Sequence, residues 1–208
     1  MIKLLSLIIP VWNREDFILR ALESIPKRND IEIIIVDDNS TDNTNNIILE
    51  WKSNNINLFN DIIIIVNSEN LGVGKSKKKA YDIAEGKFIY VLDSDDFIIT
   101  DTFNYLLNNI NNYDNYDIIR VCNKINNGKI EKSSHTAGWS YILRNRFKNI
   151  KYPEVRKAED WLYWLQLKNN GARIVDTNYI CYHYNYPHEG SLVWEYEHGK
   201  IDWKGDEL

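Results

Sequence analysis

The stretch "NLGVGKSKKKAYDIAEGKFIYVLDSDD", residues 70–96, decides the fold. It opens on a glycine-containing turn and continues through a helix-like segment, 74–85, that Gly86 is placed to end. An apolar run over 88–92 follows and stops at Asp93-Ser94-Asp95. The same alternation extends outward. Apolar runs at 4–9, 31–36 and 62–66 are short, rich in Ile and Val and bounded by turn residues, so they read as strands buried on both faces. Helix-like stretches at 15–25 and 43–53 lie between them, the second behind several N-cap candidates in "DNSTDNT". Strand–helix repetition predicts an α/β fold around one Rossmann-like, doubly wound, mostly parallel sheet. Ligands are then expected at the carboxyl ends of its strands.

The polar residues follow that expectation. Asn13, Asp37 and Asp38, the loop over 70–78, and Asp93, Asp95 and Asp96 each come after a strand, so one sheet edge gathers them. The second half is less regular: a strand near 117–122, a turn at "NNGK", an amphipathic helix over 159–168 and one or two strands in 173–184. With 208 residues, 44% apolar and 26% charged, and with no repeat or linker, the chain reads as one globular domain over 1–208. A net charge of −5 gives no reason to expect nucleic acid. The basic cluster Lys75, Lys77, Lys78 and Lys79 is local and fits a phosphate group better than a polymer. "MIKLLSLIIP" is too short for the apolar core of a signal peptide, and no segment is long enough to span a bilayer. Cys122 and Cys181 sit in apolar, strand-like runs and read as buried reduced thiols, which suits a cytoplasmic chain.

Gly74-Lys75-Ser76 raises the possibility of a phosphate loop, G-x-x-x-x-G-K-[ST]. The first glycine would fall at position 69, where the residue is Glu69. A carboxylate there repels phosphate, and its Cβ crowds a turn that glycine normally makes. A nucleotidyltransferase needs a glycine-rich N-terminal loop, and "PVWNRED" has no glycine.

Four segments in order, "SLIIPVWN", "IEIIIVDDNSTDNT", residues 70–96 and "AEDWLYWLQL", account for the loop differently. Asn70 and Gly72, Lys77, Ala84 and Gly86, then Asp93-Ser94-Asp95, resemble the pattern of glycosyltransferase family 2, over roughly 6–167. The resemblance implies a GT-A fold, with about 1–96 as a nucleotide-binding half and about 97–208 as an acceptor-binding half. It implies inverting transfer of a sugar from a nucleotide-diphosphate donor, a UDP-sugar first among them, to a hydroxyl of a glycan, glycoprotein or glycolipid. A peripheral place at a membrane surface is compatible with such acceptors.

The resemblance also assigns roles. Asp95, with Asp93, would hold Mn2+ or Mg2+ through oxygen, and Asp93 and Ser94 would face the donor. Taken alone, the same acids read as a turn capping a helix that begins near Asp101. Asp38 would accept a hydrogen bond from a base edge. Pro10, Val11, Trp12, Asn13 and Glu15 would line the nucleotide pocket with Gly72; Trp12 stacks on a base or packs under the sheet. Lys77 takes the family's basic position, often arginine, near the phosphates. Asp160 would be the general base that deprotonates the acceptor, or else Glu159 and Asp160 merely favour a helix start. Trp139 and Trp161 would offer a sugar platform, while Trp164 and Leu165 read as core. His183 or His188 would add a nitrogen to the metal, although a lone histidine is more often structural. The rival to an enzyme is a non-catalytic nucleotide-sugar or glycan-binding domain on the same fold.

Overall fold

The computed structural model describes residues 3–131, 138–147, 149–155 and 158–185. The N-terminal half alternates as its apolar runs predict: β1 (Leu5–Val11), α1 (Ile18–Glu23), β2 (Ile31–Asp37), α2 (Thr44–Asn55), β3 (Asp61–Val66), α3 (Val73–Ile83) and β4 (Phe88–Val91). Then come β5 (Phe97–Ile98), α4 (Thr100–Asn108), β6 (Ile118–Ile125), β7 (Ile130–Glu131), β8 (Tyr141–Arg144), α5 (Glu159–Asn169) and β9 (Ile174–Tyr184). The strands form one nine-stranded sheet in the order β3-β2-β1-β4-β8-β6-β9-β5, with β7 paired to β6. From β3 to β4 every pairing is parallel. Beyond β4 the sheet is mixed: β8 runs antiparallel to β4 and β6, β9 parallel to β6, and β5 antiparallel to β9.

Side chains alternate across a strand, so β1 and β2 feed two cores. Leu5, Leu7, Ile9, Ile31, Ile33 and Ile35 pack with α1, α2 and α4. Ile8, Ile34 and Val36 pack on the other face with Ala80 and Tyr81 of α3 and Tyr163, Trp164 and Leu167 of α5. Burial on both faces holds for β1, β2 and β4 but not for β3, which forms the sheet's edge and leaves Val66 exposed. Helix α1 starts later than its sequence pattern predicts, because the Arg14 carbonyl first accepts the N–H groups of Phe17 and Ile18. Cys122 and Cys181 are both buried and free, and burial pushes the Cys181 thiol up. Among the described residues no helix is long and apolar enough to cross a membrane.

Gly86 does not stop the helix, as its place in the sequence predicts it should, but seats the turn after it. Helix α3 already ends at Ile83, and a Cβ on Gly86 would lie 2.4 Å from the Ser6 nitrogen. Its N–H donates to Ser6 Oγ at 2.8 Å and to the buried Glu32 carboxylate at 3.0 Å, so the α3–β4 turn is pressed onto β1 and β2. The register of the acidic loop that follows β4 is fixed at this contact.

In the later half, the fully buried Asp117 carboxylate anchors the starts of β6 and β9. It accepts from Arg146 Nε at 2.7 Å and from the Arg173 N–H at 2.9 Å. Burial opposes its charge, but these donors win and hold the carboxyl down, at about 2. A depressed carboxyl stabilises the fold above its ordinary value of 3.8 and ceases to do so as the pH falls toward about 2. Asp117→Asn should therefore lower stability at neutral pH by roughly 1–3 kcal/mol and flatten the loss of stability on acidification through that window. Denaturant titrations of both proteins at a series of pH values measure this; parallel curves would refute it.

Candidate active site

The carboxyl ends of β1, β2 and β4 converge as the alternating pattern predicts. The loops after β1 and β2 interlock: the Asn13 N–H donates to Ser40 Oγ at 2.9 Å, and Asn13 Oδ1 accepts the Thr41 N–H at 2.8 Å. Glu15 accepts the Asn43 N–H at 2.8 Å and Asp42 accepts the Thr44 N–H at 3.0 Å, so the start of α2 is held from outside as well as by "DNSTDNT" itself. Asp37 accepts the Ser40 N–H and Asn45 Nδ2, orienting its loop. Pro10 and Val11 are buried in β1, whereas Trp12 stands 49% exposed at the rim. Among the described residues the non-glycine positions with positive φ are Asn13, Asn39 and Ala158, at 47°, 65° and 58°. All three lie in loops or helix starts that build this edge, where such strain is commonly kept for function.

Asp38 is buried and committed to the chain. Its Oδ1 accepts from Asn67 Nδ2 at 2.7 Å and from the Leu71 N–H at 2.9 Å, and its Oδ2 accepts the Gly72 N–H at 2.7 Å. It thereby fixes the loop that enters α3, where Gly72 takes φ 89° and ψ 159°, a conformation open to glycine. Gly74 is no phosphate cradle. An added Cβ would meet the Val155 carbonyl at 2.1 Å, so that turn is filled by the segment before α5.

The acids after β4 do not cap a helix, since β5 intervenes before α4 begins at Thr100. Asp93 is pushed up to about 7: burial is the main cause, Asp160, Asp95 and Glu159 add repulsion, and Lys77 opposes it. Asp95 lies 3.5 Å from Arg14 Nε, and its carbonyl accepts from Arg20 Nη2 at 2.9 Å. Ser94 is buried between them. Buried Asp96 accepts from Tyr182 Oη at 2.7 Å and from the Asn185 N–H at 2.7 Å, and Tyr182 Oη in turn accepts the Asp93 N–H at 3.3 Å. Tyr182 therefore braces the acidic loop from β9.

Asp93 and Asp95 fit a hard divalent cation. A cation there would offset the repulsion from Asp95, Asp160 and Glu159 that adds to burial in raising Asp93, and two carboxylates leave room for water and phosphate oxygens, as Mg2+ and Mn2+ prefer. The described residues contain no cluster of three His, Cys, Asp or Glu side chains able to hold a metal. His183 instead stacks on Phe97, ring centroids 4.2 Å apart, and burial with the nearby cations Lys124 and Arg20 keeps its proton affinity low. His188 and the Trp139 side chain lie outside the described residues.

Lys77 is 2% exposed. Its ammonium donates to Glu159 Oε1 at 3.0 Å and to Asp160 Oδ1 and Oδ2 at 3.0 and 3.2 Å. Burial opposes the charge, but Asp160, Glu159 and Asp93 overcome it and raise Lys77 well above an ordinary lysine. The family resemblance expects Lys77 near phosphate, and the structure adds carboxylate partners that no motif announces. A signal was available: Gly74, Lys77, Ala80, Tyr81 and Ala84 form one helical stripe, all buried, while Lys75 and Lys79 fall off it and are exposed. Asp160 Oδ1 also accepts from Tyr152 Oη, a residue no motif singles out. Trp161 is 51% exposed at the start of α5, as a sugar platform requires, and Trp164 is core.

Comparison with known proteins agrees with this fold. The model of the family described as Glycosyl transferase family 2 matches residues 6–165. The Escherichia coli UDP-Glc:alpha-D-GlcNAc-diphosphoundecaprenol beta-1,3-glucosyltransferase WfaP is similar at 32% identity, over 91% of this chain and 80% of its own length. Residues 1–349 of Staphylococcus aureus TarS, solved in complex with UDP, superpose with a TM-score of 0.75 at 26% identity, over 88% of this chain and 60% of that one. The mannosyltransferase PcManGT from Pyrobaculum calidifontis, solved with GDP-Man and Mn2+, shares the fold at TM-score 0.72 and 16% identity, over 96% of this chain and 62% of that one. The chain thus spans about three-fifths of those two solved chains.

Removing the ammonium from this cluster leaves two carboxylates facing each other without a cation. Lys77→Met should destabilise the protein by roughly 3–5 kcal/mol, as breaking one side of a buried ion pair does. Thermal and denaturant unfolding measure it; a change below about 1 kcal/mol would mean that the cluster is solvated.

Proposed function

The chain belongs to glycosyltransferase family 2, and from that membership we propose that it moves a sugar from a UDP-sugar to an acceptor hydroxyl with inversion, Asp160 serving as general base. The observation that carries this reading is the meeting of Asp160 with the acidic loop after β4, across Lys77. A base and a cluster of donor-side acids, more than sixty residues apart in sequence, share one electrostatic neighbourhood. Glucosyl donors are favoured because WfaP is named for UDP-Glc, and a lipid-linked acceptor because its name includes diphosphoundecaprenol. A peripheral place at a membrane follows from such an acceptor.

In the proposed reaction the acceptor oxygen attacks the anomeric carbon from the face opposite the departing diphosphate, and its proton passes to Asp160. One displacement needs one base and no enzyme nucleophile. Trp161 offers a face for the acceptor ring, and Trp12 borders the donor side. When bound at Asp93 and Asp95, a divalent cation would neutralise charge on the leaving diphosphate. Glu159 shares Lys77 with Asp160, so the ammonium is not left to neutralise the base alone.

A panel of UDP-sugars with lipid-linked and free glycan acceptors, with and without Mn2+, tests the proposal. Asp160→Asn should lower kcat by about 10²- to 10⁴-fold while UDP affinity by calorimetry is kept. Asp95→Ala should remove the stimulation by metal. Donor binding with no turnover on any acceptor would favour a binding domain, and wild-type turnover in both variants would overturn the site.

A further inference from the structure

We propose that Tyr152 is a positioning residue for Asp160, fixing which carboxylate oxygen is left for the acceptor. This rests on the reading of Asp160 as the base. Tyr152 is buried, and its ring lies in a nest of tyrosines. It stacks on Tyr81 with centroids 4.7 Å apart and packs against Tyr163 at 4.7 Å, while Tyr81 meets Tyr163 edge-on at 5.3 Å. Two ring contacts leave the phenol little rotational freedom, and its hydroxyl donates to Asp160 Oδ1.

The two oxygens of Asp160 are loaded unequally. Oδ1 accepts from Tyr152 Oη and from Lys77 Nζ at 3.0 Å, while among the described residues Oδ2 accepts from Lys77 alone, at the longer 3.2 Å. A carboxylate oxygen has two lone pairs. Oδ1 is therefore filled by the protein, and Oδ2 keeps a lone pair for an acceptor hydroxyl. The side chain is 19% exposed, so part of it is open to an incoming group. The charged and titratable groups around it are Lys77 from α3, Glu159 from α5, Asp93 from the acidic loop, and Tyr81, Tyr141 and Tyr152.

Chain geometry supports a dedicated role for this tyrosine. It belongs to the segment whose backbone at Pro153 and Val155 presses on Gly74, one turn of α3 before Lys77. One contact thus sets both donors to Asp160 at once. Ala158, in the left-handed region at φ 58°, then turns the chain into α5 so that Asp160 points back to them.

Tyr152→Phe keeps the stacked ring and removes only the hydroxyl. The phenol's bond holds one oxygen of Asp160, so losing it frees the carboxylate to turn away from an acceptor. For Tyr152→Phe kcat should fall roughly 3- to 30-fold, with KM for the donor and UDP affinity unchanged. A wild-type kcat would overturn the inference. So would a fall in kcat accompanied by an equal weakening of donor KM or UDP affinity, which is what a merely structural tyrosine gives. Asp160→Asn, measured beside it, separates the two levels: turnover lost there with a wild-type kcat for Tyr152→Phe refutes the positioning role alone. Wild-type turnover for Asp160→Asn refutes the base and this inference with it.

Discussion

The structure depends on one buried ammonium. Lys77 lies on the face of α3 that packs under the sheet, where an uncompensated charge would cost several kcal/mol. Its partners, Glu159 and Asp160, are supplied from 82 and 83 residues away, at the first turn of α5. The position of α5 is thus set by electrostatics as well as by the apolar packing of Tyr163, Trp164 and Leu167. Asp160 is in turn delivered to the edge where β4 releases its acids. The loop after β4 and the start of α5 meet because a lysine cannot be buried alone.

A second constraint keeps that edge in register. Glu32, Ser6 and Gly86 tie the start of β4 at one end, while Tyr182 and Asp96 brace the acidic loop at the other. Between these anchors β4 is only four residues long. Asp93 is therefore held buried beside Asp95, Asp160 and Glu159, and burial first, then their repulsion, raises its proton affinity.

Much of this was legible in the sequence, and the physical reasons are specific. The parallel half announced itself through Ile-rich runs that suit strands covered by helices, and only edge strand β3 departs from that reading. Asp93-Ser94-Asp95 and the Glu-Asp start of α5 were visible as short motifs at the ends of elements. The roles of single polar residues were less visible. Asp38 carries no sign in the sequence of the backbone N–H groups that its oxygens also accept, from a loop more than thirty residues later. Lys77 was hidden in a run of lysines whose other members face outward. Tyr152, Tyr182 and Arg14 carry no sequence signature, because a lone tyrosine or arginine acquires a role only from what tertiary structure places beside it.

The sheet changes character at β4. On one side β1 joins β2 through seven paired positions; on the other β4 meets β8 through two, Phe88 with Arg144 and Ile89 with Leu143. That narrow boundary is a natural seam for exchange. A foreign piece grafted there would leave the parallel ladder from β3 to β4 in place, provided it brought two acids to answer the buried lysine and a hydroxyl to brace Asp96 as Tyr182 does. Modularity in this architecture therefore has an electrostatic password, and only inserts that carry it fit.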